Sequence, residues 1–134
     1  MTVKFETETI RTIALFERLT RVNPRDCLIT ESCIYFLVDP EKVGLAIGRK
    51  GSNIKEVRKT LGRDIKVFGY YRDPKELIRN MIPSIKNIEM NNGSMIITVP
   101  SDKKTVVIGR NGRNIKAIKE IMKRHFKIKH IRLK

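Results

Sequence analysis

Two four-residue stretches carry the residue types best suited to holding an anion: Gly48-Arg49-Lys50-Gly51 and Gly109-Arg110-Asn111-Gly112. Each follows a short apolar run and precedes a segment of helical spacing. Glycine lacks the Cβ that keeps a ligand's backbone at a distance, and it adopts the dihedrals of a sharp turn between helices. A helix that starts just after such a turn presents unbonded N–H groups and a partial positive charge, which favours phosphate. Arg49, Lys50, Arg110 and Arg113 add full charges. The expected contact set is Gly48, Arg49, Lys50, Gly51, Ser52, Ile54, Lys55 and Lys66 around the first stretch. Around the second it is Gly109, Arg110, Asn111, Gly112, Arg113, Ile115, Lys116 and Lys127. Ile47, Ile54 and Ile65, with Ile108, Ile115 and Phe126, are expected to wall a groove beside the loops. A single G-x-x-G is a weak signal, usually no more than a helix–helix turn.

The signal strengthens because it is repeated. At an offset of 61 residues, Ile34 to Val67 lies over Met95 to Ile128 without a gap, and the two glycine pairs coincide. Arg63 then meets Arg124, and Lys66 meets Lys127. A pattern recurring at fixed period reads as a duplicated structural unit. The first unit begins with an apolar helical stripe from Thr7 to Val22, ended before Pro24. Cys27–Thr30 and Cys33–Val38 read as two strands. Asp39, as a cap, and Pro40 open a helix that stops at Gly48. Ile54, Val57 and Leu61 mark the next helix, with Gly62 as its stop, and Ile65–Tyr71 is a closing strand. The second unit repeats this order. It has a helix Pro74–Met81, strands Ile85–Met90 and Met95–Val99 about an Asn91-Asn92-Gly93 turn, and a Ser101-capped helix to Ile108. A helix through Ile115, Ile118 and Met122 follows, and then a strand Phe126–Leu133.

Composition restricts the partner. The 134 residues carry a formal net charge of +15 with 40% hydrophobic content, so a folded chain with an anionic partner is expected. The excess is localised: residues 1–38 and 73–100 are neutral, whereas 39–72 net +5 and 101–134 net +10. All of it lies in the two stretches that contain the glycine loops. Lys55 and Lys59, and Lys116, Lys119 and Lys123, recur at turn spacing away from the apolar stripes, giving a basic wall beside each loop. An ordinary solvated lysine face would not leave both hairpin halves neutral.

Other chemistries find little support. Neither loop supplies the G-x-x-x-x-G-K-[ST] of a nucleotide-binding P-loop. His125 and His130 stand in a basic stretch without a carboxylate, and Asp39, Glu41 and Asp102 read as helix-start residues, so no enzyme is expected. Cys27 and Cys33 match no zinc spacing and read as small buried residues of a hairpin, with a disulfide as the minority reading. No metal and no cofactor are expected. No run of 18 apolar residues and no signal peptide occur, so a cytoplasmic protein without membrane contact is expected.

The paired loops, each basic and set between an apolar helix and a helix leading to a strand, resemble the KH domain. The element order α-β-β-α-α-β resembles its type II variant. Asp39-Pro40, Val43-Gly44 and Ile47 to Ser52 resemble the first KH domain of the NusA transcription factors, and Val107 to Asn114 is similar to the second. The resemblance covers nearly the whole chain. It implies an α+β fold of two tandem type II KH domains, residues 1–72 and 73–134, with helices packed on one face of each three-stranded sheet. It also implies single-stranded RNA as the ligand, each loop clamping the backbone of about four nucleotides. In that family the two units form one rigid body with a continuous RNA track. A monomer binding a nascent transcript, in transcription elongation or termination, is the implied role. A ribosome-associated or ribosomal-RNA assembly protein is the alternative. Nothing in the chain matches the polymerase-binding domain of bacterial NusA, so RNA polymerase remains a candidate partner without residues to carry it.

Overall fold

The computed structural model describes residues 2–134, with side chains from Thr7 onward. The chain divides into two compact units, Met1–Tyr71 and Arg72–Lys134. Each is a three-stranded mixed sheet with helices, an α+β architecture.

In the first unit, helix α1 (Thr2–Thr20) leads to strands β1 (Asp26–Ile29) and β2 (Cys33–Val38). A 3-10 turn, Pro40–Lys42, runs into the short α2 (Val43–Ile47), and a second, Arg49–Gly51, into α3 (Ser52–Leu61). Strand β3 (Asp64–Gly69) closes the unit. β2 is central, antiparallel to β1 and parallel to β3, with Ile34 opposite both Ile29 and Ile65. Alternate residues Ile34, Phe36 and Val38 form the core with Phe16 of α1, Ala46 of α2 and Val57 of α3. The rings of Phe16 and Phe36 stack at 3.9 Å between centroids. Offset aromatic pairs of this kind add to the burial of their area.

The buried stripe of α1 is narrower than the apolar pattern predicts. Thr12, Phe16 and Thr20 are buried at i, i+4 and i+8, while Ile10 is 67% exposed. Thr20 is tolerated there because its hydroxyl donates to Phe16 O and accepts from Val22 N–H, leaving no polar atom unsatisfied. The predicted cap at Asp39 is also different. Asp39 starts the turn, but its side chain makes no capping bond and accepts from the Arg25 guanidinium instead. That hydrogen bond first, and the carboxylate's charge second, raise the Arg25 pKa. The Asp39 carbonyl, not its carboxylate, receives the Lys42 N–H.

Cys27 and Cys33 are both buried thiols and form no disulfide. The register explains why. Cys27 lies opposite Phe36 and Cys33 opposite Asp64, so the two are neither cross-strand partners nor on the same face of the hairpin.

The second unit begins with α4 (Pro74–Met81), whose Asp73 accepts a capping bond from Lys75 N–H at 3.0 Å. β4 (Asn87–Asn91) and β5 (Ser94–Thr98) form a hairpin about Asn92 (φ 36°) and Gly93 (φ 83°). Both central residues have positive φ, as a two-residue hairpin turn of matching twist requires. A 3-10 turn, Ser101–Lys103, α5 (Lys104–Ile108), a further turn Arg110–Gly112, α6 (Arg113–Phe126) and β6 (His130–Leu133) complete it. β5 is central, antiparallel to β4 and parallel to β6. Leu77, Ile78, Met95, Ile97, Ile118 and Met122 are among its buried side chains, and α4 packs on α6.

Two expectations fail in this unit. Ser101 is not the cap of α5: it begins the 3-10 turn, whose N-cap is Pro100 with its carbonyl receiving the Lys103 N–H at 2.9 Å, and Lys103 holds the N-cap position of α5 without a side-chain bond. The predicted strand Phe126–Leu133 is part helix. α6 has fourteen residues against ten in α3, so Phe126 and Lys127 are the helix end and its cap. The strands show where the ungapped offset breaks. Ile34 faces Ile65, whereas its counterpart Met95 faces Ile131, so beyond the helix the offset is 66 rather than 61. Among the described residues, no helix is long and apolar enough to cross a membrane.

Candidate nucleic-acid interface

The two glycine loops have nearly the same backbone. Gly48 lies at φ 79°, ψ 168° and Gly109 at φ 78°, ψ 170°. These dihedrals belong to a region open essentially to glycine alone. Space forbids a side chain as well. A Cβ on Gly48 would stand 2.7 Å from Asn53 N, and one on Gly109 would stand 2.8 Å from Asn114 Cβ. The third loop residue is left-handed in both copies, Lys50 at φ 55° and Asn111 at φ 57°. Gly51 and Gly112 follow at φ 75° and 72°.

Hydrogen bonds hold each loop to the helix before it. Gly48 N–H donates to Gly44 O, and Gly109 N–H to Thr105 O, both at 2.9 Å. The Asn53 amide donates to Leu45 O at 2.8 Å, and the Asn114 amide to Val107 O at 2.9 Å. This asparagine staple, at the second position of the following helix, was visible in the sequence only as a repeated Asn. The expected row of unbonded N–H groups at the start of α3 is partly consumed. Gly51 N–H donates to Gly48 O at 3.0 Å, and Ser52 N–H to Arg49 O. The same pattern recurs at Gly112 and Arg113. Loop cations rather than helix-start amides are thus the main electrostatic resource.

Those cations are displayed to solvent. Arg49, Lys50, Ser52, Lys55, Arg110, Asn111, Arg113 and Lys116 are all exposed. Among the described residues none of these cations is ion-paired. Lys55 and Lys116 fold back over their loops, with Cε 3.8 Å and 3.7 Å from where a Cβ on Gly51 and Gly112 would stand. Ile54 and Ile115 are half-buried, Ile54 packing on the core of its unit.

Two expected contacts lie elsewhere. Lys66 alternates with the core-facing Ile65 and Val67, so it projects from the sheet face opposite the helices, its ammonium 5.9 Å from the Tyr35 ring centroid. Lys127 caps α6 in the left-handed conformation, and the strand counterpart of Lys66 is Arg132. Phe126 is correspondingly no groove wall equivalent to Ile65, which is itself buried in the core.

The apolar surface beside the loops instead comes from the short helices. In α2 only Ala46 is buried, and in α5 only Val107. Leu45 is 48% exposed, Val106 73% and Ile108 39%. The sequence carried a signal for this. Val43 to Ile47 and Val106 to Ile108 are apolar on more sides than a five-residue helix can bury. Each loop therefore joins a ridge of apolar side chains to a cluster of cations, an arrangement able to hold a polyanion whose other groups are flat and apolar.

A KH domain family model matches residues 10–72, and a model of the NusA-like second KH domain matches residues 74–134. The chain is 28% identical to a probable transcription termination protein NusA of Methanocaldococcus jannaschii, over 98% of this chain and 75% of the relative. It is 30% identical to the protein of the same name from Methanococcus vannielii, over 99% of this chain and 80% of the relative. Among solved structures it is similar to the crystal structure of APE1850, with a TM-score of 0.80 and 31% identity over 96% of this chain and 99% of that one.

Proposed function

From the premise that this chain belongs to the family of NusA-like proteins built of two tandem KH domains, we propose that it clamps single-stranded RNA at both glycine loops during transcription. The phosphate chain crosses each loop where glycine leaves the backbone bare. Arg49, Lys50 and Lys55, and Arg110, Arg113 and Lys116, neutralise it. Bases rest against Leu45 and Ile47, and against Val106 and Ile108. Exposed aromatic side chains are absent from this list, so aliphatic contact rather than ring stacking accompanies the charge. Recognition of this kind tolerates many sequences and weakens as salt rises.

The observation that carries the reading is the duplication of one strained loop. Two copies hold glycine where a Cβ would collide, and both surround it with cations that have no acidic partner among the described residues. The relatives are named as probable transcription termination proteins, which supports a role in transcription termination over one in ribosome assembly; nascent RNA is then the ligand of this proposal.

Replacing Arg49 and Lys50 together with aspartate tests it, as does replacing Arg110 and Asn111. In the first variant the loss of two charge-assisted contacts at about 1.5 kcal/mol each corresponds to roughly a hundred-fold weaker binding, and in the second the loss of one corresponds to about ten-fold. Fluorescence anisotropy with a labelled single-stranded RNA reads the change. Parental affinity in both folded variants would sink the proposal.

A further inference from the structure

The charge of the second unit exceeds what its loop uses, and part of the surplus lies on the sheet. The strand β6 is an edge, paired on one side to β5. Ile131 points into the core, so the alternate residues His130 and Arg132 lie on the opposite face, with Lys134 just past the strand end where its N–H still bonds to Ile97 O, and all three are exposed. Residues two apart on a strand are about 6.7 Å apart, a spacing suited to successive phosphates of an extended chain. Beside them on the same face run Ser94, Ile96 and Thr98 of β5, each partly exposed, and the exposed Asn87, Glu89 and Asn91 of β4. Glu89 is the single acid of that face, and it stands on the strand farthest from the cations.

The corresponding face of the first sheet is built differently. Cys33, Tyr35 and Leu37 of β2 are 4%, 2% and 1% exposed, and β3 offers Asp64, Lys66 and Phe68. Guarding an edge against strand pairing is a common use of lysine. The edge β3, however, manages with one cation, an acid and an aromatic on that face, so a histidine and two cations on β6 and just past its end exceed that need. None of the three is ion-paired among the described residues.

We propose that the helix-free face of the second sheet is a second RNA contact, in which His130, Arg132 and Lys134 take phosphates of the strand and Ser94, Ile96 and Thr98 meet its sugars and bases. The proposal rests on the reading of the chain as an RNA binder. The face engages nucleotides beyond those held by the loop and thereby lengthens the footprint.

The test compares the full chain with the R132E/K134E variant, and with R132Q/K134Q as a milder pair, on a four-nucleotide and a thirty-nucleotide RNA of one composition. Strand pairing in β6 runs through backbone groups such as Lys134 N–H to Ile97 O, so both variants are expected to fold, checked by circular dichroism. The expected result is unchanged affinity for the short RNA and about ten-fold weaker binding of the long one by R132E/K134E. For R132Q/K134Q the slope of log affinity against log salt becomes shallower by about 1.4 for two lost phosphate contacts. Parental binding of the long RNA with an unchanged slope overturns the proposal. So does equal weakening on both RNAs, which would place the effect at the loop. Self-association in place of any change in RNA binding also overturns it, since edge protection would then be the role. Failure of the parent itself to bind either RNA would instead refute the underlying function.

Discussion

The two glycine loops share their backbone to within a few degrees but differ in what they ask of their third residue. Lys50 and Asn111 both occupy the left-handed region. Asparagine adopts it readily, whereas lysine has no side-chain bond to offset the steric cost. The first unit thus keeps a cation at a conformationally unfavourable place. The second takes the easier residue there and carries its charge on Arg113, on Lys116 and along the longer α6. The helix ends show the reverse trade. α3 stops at Gly62 (φ 69°) and α6 at Lys127 (φ 57°), both left-handed. Each unit therefore places one lysine where glycine or asparagine would sit more comfortably. Duplication has conserved the backbone of the clamp and redistributed its charge.

Breaking the shared backbone should give the largest effect. Gly48→Ala and Gly109→Ala force a Cβ into contacts below 3 Å and out of the glycine-only region. A loss of about 3 kcal/mol in each is expected from urea denaturation midpoints. A loss confined to one loop would show that the two are not equivalent constructions. Removing the asparagine staple is milder. Asn53→Ala and Asn114→Ala each delete one side-chain hydrogen bond to the preceding helix, for about 1 kcal/mol and a few-fold weaker RNA binding. The smallest effect has the opposite sign. Lys127→Gly should stabilise the chain by about 0.5–1 kcal/mol, while Gly62→Ala should destabilise it by a similar amount. If Lys127→Gly is destabilising, the lysine side chain does more for the fold than its exposed position indicates.

Much of this was legible in the residues, because local chemistry governs it. The glycine pair, the Asn92-Gly93 turn, the Gly62 stop and the Asp73-Pro74 helix start each depend on neighbours a few positions away. What the sequence hid depends on distant partners. The length of α6 could not be read by sliding one unit over the other, since Arg63 over Arg124 and Lys66 over Lys127 looked satisfactory. Only the pairing of Ile131 with Met95 shows the strand to begin later. That slip misplaced Lys127 and Phe126 and left Arg132 unnoticed. Asp39 is a reasonable cap by residue type, but Arg25, fourteen positions away, claims its carboxylate. The exposure of Leu45 and Val106 likewise depends on how little of a five-residue helix the rest of each unit can cover.

The clamp works only if the loop cations hold phosphate. The direct measurement is the salt dependence of single-stranded RNA affinity for the parent, R49A/K50A and R110A/N111A. The first variant removes two cations and the second removes one. The slope of log affinity against log salt should become shallower by about 1.4 and about 0.7 respectively. Slopes equal to the parent's in both variants, at undiminished affinity, would contradict it.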